Sequence, residues 1–168
     1  MTPASLAFVG LGANLPGAHG KPGQALDAAL DALAALPSSN LEKVSRLYAS
    51  DPVEADGPPF FNRVAAMRSS LAPEALLDEL HKIEERFGRE RPYLNAPRTL
   101  DLDLLMVDDL QVQTPRLTLP HPRMHERLFV LMPLAELEPG LVIPGHGKVA
   151  DCLAVVHATQ SQRCWPSD

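Results

Sequence analysis

The sequence predicts an α+β fold of the split-βαβ, ferredoxin-like kind: an antiparallel sheet with helices packed mainly on one face, plus a C-terminal extension. Three observations lead there. Apolar periodicity changes along the chain in the order strand, helix, strand, strand, helix, strand. Segments rich in Pro and Gly fall between these elements. With 168 residues, 45% of them apolar, the chain has enough material for one core and little for a second, so residues 1–168 are expected to form a single domain.

Taken in order, Leu6-Ala7-Phe8-Val9 is a short apolar run ended by Gly10-Leu11-Gly12-Ala13-Asn14, the pattern of a buried strand entering a turn. From Pro22 to Leu36, residues Ala25, Leu26, Ala29, Leu30 and Leu33 recur at helical spacing, and Pro37 follows. Leu41 to Tyr48 and Phe60 to Met67 read as two strands, joined by a loop crowded with Pro, Gly and Asp. Pro73 suits a first helical turn, and the stripe Leu76, Leu77, Leu80, Ile83, Phe87 stops at Gly88. The segment from Arg89 to Arg98 contains Pro92 and Pro97 and must be a loop. Leu100, Leu102, Leu104 and Met106 then alternate with Asp101, Asp103, Leu105 and Val107, which predicts a strand with one wholly apolar face. Arg127 to Leu137 and Lys148 to His157 are shorter helical segments.

A formal charge of −6 argues against a general nucleic-acid or membrane-surface binder, since such proteins draw phosphate with a cationic excess. Cys152 and Cys164 form no metal-like cluster and read as ordinary thiols. No apolar run approaches the ~18 residues of a membrane helix, and a cytoplasmic protein is expected. The P-loop spacing, the third glycine of a dinucleotide fingerprint, the nucleophile elbow and H-E-x-x-H are all missing from the sequence.

Asp101 and Asp103 lie two apart on the predicted strand, so both carboxylates leave one face. Such a pair is comfortable when solvated, protonated or bridged by a cation, and hard oxygen ligands of this type suit Mg²⁺ that also grips phosphates. Arg89, Arg91 and Arg98 precede the pair, and Arg116, His121, Arg123, His125 and Arg127 follow it. Forked guanidinium donors concentrated in an acidic chain point to bidentate phosphate recognition. Pro120 and Pro122 break the helical geometry that would let His121 and His125 ligate one metal together. Magnesium-dependent nucleotidyl transfer, or a non-catalytic ferredoxin-like small-molecule-binding module, are the alternative readings.

The sequence resembles the 6-hydroxymethyl-7,8-dihydropterin pyrophosphokinases over essentially its full length. The resemblance is carried most specifically by Pro97-Arg98-Thr99-Leu100-Asp101-Leu102-Asp103, and further by Gly12-Ala13-Asn14-Leu15, Phe60-Phe61-Asn62, and Arg116-Leu117-Thr118-Leu119-Pro120-His121 with Arg127 and Phe129. It implies transfer of diphosphate from ATP to the pterin alcohol with release of AMP, two Mg²⁺ ions, and a monomer that engages neither nucleic acid nor membrane. It also implies catalytic roles for Arg89, Arg98, Asp101 and Asp103, the two aspartates being the metal ligands. The implied ATP contacts are His81, Glu84, Arg89, Arg91, Arg98, Leu104, Arg116, Thr118, His121 and Arg127. For the pterin the implied set is Ser50, Asp51, Val53, Phe60, Asn62 and Phe129, where Phe supplies a stacking surface and Asn a directed polar partner. Asn95, Asp51 and Phe60 depart from the residues common in the family, which carries tryptophan, proline and tyrosine there.

Overall fold

The computed structural model describes residues 3–14, 20–52, 58–88 and 100–167. In chain order, β1 (Ser5–Ala13) is followed by α1 (Pro22–Ala34), β2 (Ser39–Val44), β3 (Tyr48–Ser50), β4 (Phe60–Ser69), α2 (Pro73–Arg86) and β5 (Asp101–Val107). A small ribbon, β6 (Val112–Gln113) with β7 (Thr118–Leu119), leads through a 3-10 turn (Met124–Glu126) into α3 (Leu128–Leu137). The chain closes with the ribbon β8 (Val142–Ile143) and β9 (Gly147–Lys148), then α4 (Val149–Thr159) and β10 (Cys164–Pro166). The main sheet runs β10-β3-β4-β1-β5, with β2 also on β4, and every pairing in it is antiparallel. Among the described residues this is an α+β architecture of one six-stranded antiparallel sheet, two small ribbons and four α-helices.

Helices cover both faces of that sheet, not mainly one. Ala7, Val9, Leu11, Met67, Leu102 and Leu104 pack against Leu26, Ala29 and Leu33 of α1 and Leu76, Leu80 and Ile83 of α2. On the opposite face Phe8, Val64, Ala66, Leu105 and Met106 pack against Leu128, Leu131 and Leu134 of α3 and Val149 and Val156 of α4. The reason lies in β1 and β5. Both are apolar on two faces along part of their length, and neither face can be left in water. The C-terminal extension is therefore the second cover of the sheet.

Two irregularities shift what strand periodicity alone predicts. The strand expected over Leu41–Tyr48 breaks in two, because Val44 pairs with Ala65 and Tyr48 with Asn62, which leaves one extra residue on the first chain. Ser45 accommodates it: its hydroxyl accepts the Val64 N–H at 3.0 Å while its own N–H donates to Val64 O at 2.9 Å. In β5 the register slips between Val9↔Leu104 and Phe8↔Met106. Leu105 is the extra residue, so Met106 joins the core on the α3 side and Val107 that on the α1 side. The apolar face expected from Leu100 to Met106 thus ends at Leu104.

Candidate active site

The bulge falls after Asp103, so the two aspartates keep their common phase. Asp101 sits opposite Gly12 and Asp103 opposite Gly10 of β1. The residue between them, Leu102, is buried in the α1 and α2 core, so both half-buried carboxylates emerge on the other face. Glycine at both facing positions leaves bare backbone beside the acids. A Cβ at Gly10 would make only ordinary contact, 3.6 Å from a Leu105 methyl, whereas one at Gly12 would lie 2.8 Å from Asn62 Oδ1.

His121 and Arg127 are brought to the same place from beyond β7. The His121 N–H donates to Leu105 O at 2.8 Å, which seats the residue against β5. Its Nδ1 accepts the Arg123 N–H at 3.1 Å, so the proton of the neutral ring stands on Nε2, a donor. Burial, then the charge of Arg127, push its pKa down to about 4 against the opposing pull of Asp101. Near neutrality the ring is therefore an uncharged donor. Arg127 precedes α3 and stands within electrostatic reach of both aspartates: burial lowers its pKa while Asp103 and Asp101 oppose that. Its guanidinium also lies 5.5 Å from the Phe129 ring centroid.

Asp103, Leu104, Arg116, Thr118 and His121 all line one open groove of about 240 Å³. Leu77, Thr114, Pro115, Leu117 and Pro122 share it and were missed by sequence reasoning, since they carry no distinctive chemistry. Arg116 is ion-paired with Asp78 of α2. Glu84 is placed otherwise than a ligand contact would suggest. It is 1% exposed, and its Oε2 accepts the Leu102 N–H at 2.8 Å, clasping the outer edge of β5. His81 is exposed on α2, one turn earlier. A larger groove of about 620 Å³ between the ends of α1 and α2 is lined by none of the predicted residues.

Across the sheet from the aspartates lies the predicted pterin set. Register places Tyr48, Asn62, Gly12 and Asp101 in one row over four strands, and Ser50 opposite Phe60 two residues further on the same face. Asn62 is 6% exposed, and its amide donates to Ser50 Oγ at 3.4 Å. Phe60 and Phe129 are half-buried, the latter in the first turn of α3, which packs on β3 and β4. The Tyr48 hydroxyl donates to Glu136 Oε1 of α3 at 2.8 Å, fastening the helix to the row. Burial and then that bond raise the phenol pKa to about 12. The Asp51 carboxylate is engaged by Arg163, whose guanidinium holds it below the usual carboxylate range. Tyr48, Glu136 and Arg163 went unpredicted because only the fold makes them neighbours of this row. His125, which Pro120 and Pro122 keep from pairing with His121 on one helix, stacks on His146 with ring centroids 3.6 Å apart. Val53, Arg89, Arg91 and Arg98 lie outside the described residues.

Residues 8–139 match the family model described as 7,8-dihydro-6-hydroxymethylpterin-pyrophosphokinase (HPPK). A 2-amino-4-hydroxy-6-hydroxymethyldihydropteridine pyrophosphokinase of Pseudomonas aeruginosa is 46% identical over 148 residues, covering 88% of this chain and 89% of the relative. One from Synechocystis is 41% identical over 156 residues, covering 89% and 78%. Among solved structures, the Plasmodium falciparum HPPK-DHPS superposes with a TM-score of 0.70 at 12% identity, over 92% of this chain. This chain spans 45% of that one, and at such identity the likeness is of fold.

Proposed function

The chain belongs to the 7,8-dihydro-6-hydroxymethylpterin-pyrophosphokinase family and is a pyrophosphokinase of folate biosynthesis, and we propose that the sheet face bearing Asp101, Asp103 and Asn62 is its active site. One observation carries the reading: the two aspartates share a face with Asn62, and Asp101 shares its row, so a phosphate end and a heterocycle end meet across Gly12. ATP is the diphosphate donor and 6-hydroxymethyl-7,8-dihydropterin the acceptor, and AMP leaves.

The donor set fits Mg²⁺. Among the described residues no three metal-ligating side chains converge, and two carboxylates with the remaining positions left to phosphate and water are what this ion takes. Asp101 and Asp103 would hold two such ions, which would supply charge neutralisation at the phosphates. His121 donates from Nε2 to a phosphate oxygen without adding charge, and Arg127 brings a fixed cation to the developing negative charge. Leu104, Arg116 and Thr118 line the nucleotide side of the groove and His81 contacts the nucleotide from α2, while Glu84 acts only through the edge of β5 that it holds. Arg89, Arg91 and Arg98 complete the phosphate contacts, Arg89 and Arg98 acting in catalysis. Ser50, Asp51, Val53, Phe60, Asn62 and Phe129 hold the pterin: the rings stack on it and the Asn62 amide reads its polar edge. Residues 1–168 work as one domain of the ferredoxin-like type, a reading supported by the central β4-β1-β5 order, and act as a cytoplasmic monomer. Among the described residues no helix is long and apolar enough to cross a membrane.

Incubation with ATP, Mg²⁺ and the hydroxymethyl-dihydropterin, followed by identification of the nucleotide product, tests the reaction. AMP is expected, and pyrophosphate release would mean nucleotidyl transfer instead. Asp101→Asn and Asp103→Asn should each lower turnover by at least ~100-fold, as loss of preorganised electrostatic groups does elsewhere. A folded variant with near-normal turnover removes that residue from the site.

A further inference from the structure

Asp51 and the C-terminal strand are joined more completely than their place in the sequence suggests. The Asp51 N–H donates to Arg163 O at 3.0 Å, and Asp51 O accepts from the Gln162 side chain at 2.7 Å. Its carboxylate takes three further bonds from Arg163: from the backbone N–H at 3.1 Å, from Nε at 3.0 Å and from Nη2 at 3.2 Å. Every polar group of Asp51 is thus held by two consecutive residues more than a hundred positions away. Arg163 itself is 78% exposed at its side chain, and its guanidinium lies 5.7 Å from the Trp165 ring centroid. The next residue, Cys164, pairs with Ser50 in the β10 to β3 ladder. Ser50 in turn receives the Asn62 amide.

We infer that Arg163 is a positioning residue for the pterin slot: by fixing Asp51 it holds Ser50 at the distance that aims Asn62. The inference rests on the assignment of Asn62 to the pterin proposed above. Its physical basis is the shortness of β3, three residues with β4 on one side and β10 on the other. The ladder of β3 with β4 ends at Ser50, and beyond its one backbone bond to Arg163 the position of Asp51 depends on side-chain bonds. A forked guanidinium on both carboxylate oxygens fixes orientation as well as distance, which a lysine would not do. Residues 162 and 163 lie beyond the 8–139 matched by the family model.

The test compares wild type, Arg163→Ala, Asp51→Ala and the double variant. Dissociation constants are measured for 6-hydroxymethylpterin, in the presence of Mg²⁺ and a non-hydrolysable ATP analogue, and separately for that analogue. Arg163→Ala should weaken pterin binding by about fivefold, the upper end for an exposed but bidentate pair, and change nucleotide binding by less than about twofold. The double variant should bind no worse than Asp51→Ala, because Arg163 acts through Asp51. Unchanged pterin binding in Arg163→Ala, equal loss for both ligands, or additive losses in the double variant would each overturn the inference. Wild-type protein that fails to bind the pterin would instead overturn the assignment on which it rests.

Discussion

Replacing Gly12 by alanine tests the geometry of the site at its centre. Gly12 lies between Asn62 on β4 and Asp101 on β5, and it is not among the glycines with positive φ, so alanine finds an acceptable backbone there. The conflict is with the neighbour. The added Cβ would stand 2.8 Å from Asn62 Oδ1, where ordinary contact begins at 3.4 Å, so the amide must retreat by about 0.6 Å, the difference of the two. Asn62 is the end of a side chain and can move, which keeps the cost in stability small. Lower unfolded-state entropy partly offsets it, by about 0.4–1 kcal/mol. Function is less forgiving: misplacement of a binding group by ~1 Å is worth ~100-fold, so roughly tenfold or more is expected in kcat/KM for the pterin. No atom of Asp101 lies among the nearest neighbours of that Cβ, so nucleotide binding should stay within about twofold of wild type. Steady-state kinetics with each substrate varied, together with thermal unfolding, decide the matter. A folded Gly12→Ala protein whose kcat/KM for the pterin is within twofold of wild type would refute the placement of Asn62 as the pterin-reading group.

Two other substitutions probe the supports of the site. Glu84→Ala leaves the Leu102 N–H at the sheet edge without its buried acceptor and should lower stability by about 1–3 kcal/mol in denaturant titrations; unchanged stability would mean that Glu84 does not clasp β5. Because the Tyr48 pKa is raised from 10 to about 12, the neutral phenol favours the fold, and its contribution is whole below pH 10 and fades as pH rises toward 12. Between pH 9 and 11.5 wild type should therefore lose up to about 2 kcal/mol more stability than Tyr48→Phe, and equal losses in the two proteins would count against a phenol buried and bonded to Glu136.

Residues whose meaning depends on near neighbours were legible in the sequence. The stripes of α1 and α2 and the shared face of Asp101 and Asp103 follow from periods of 3.6 and 2, which are local properties of the backbone. The family motifs likewise gather short runs around single strands and turns. What periodicity could not supply was the slip at Leu105, since one inserted residue is visible only against a paired strand. For the same reason the strand after Leu41 was read as continuous, although Ser45 interrupts it. The second face of the sheet, closed by α3 and α4, was underestimated because an apolar helix does not announce which surface it will cover. Glu84 under β5, Glu136 on Tyr48 and Arg163 on Asp51 are contacts between residues 18, 88 and 112 positions apart. Which groups can bind phosphate and a flat heterocycle is readable from residue types, because that chemistry belongs to the side chains themselves. Which of them stand side by side follows from the folded sheet, because proximity across strands is set by register, and register by the packing of the whole sheet.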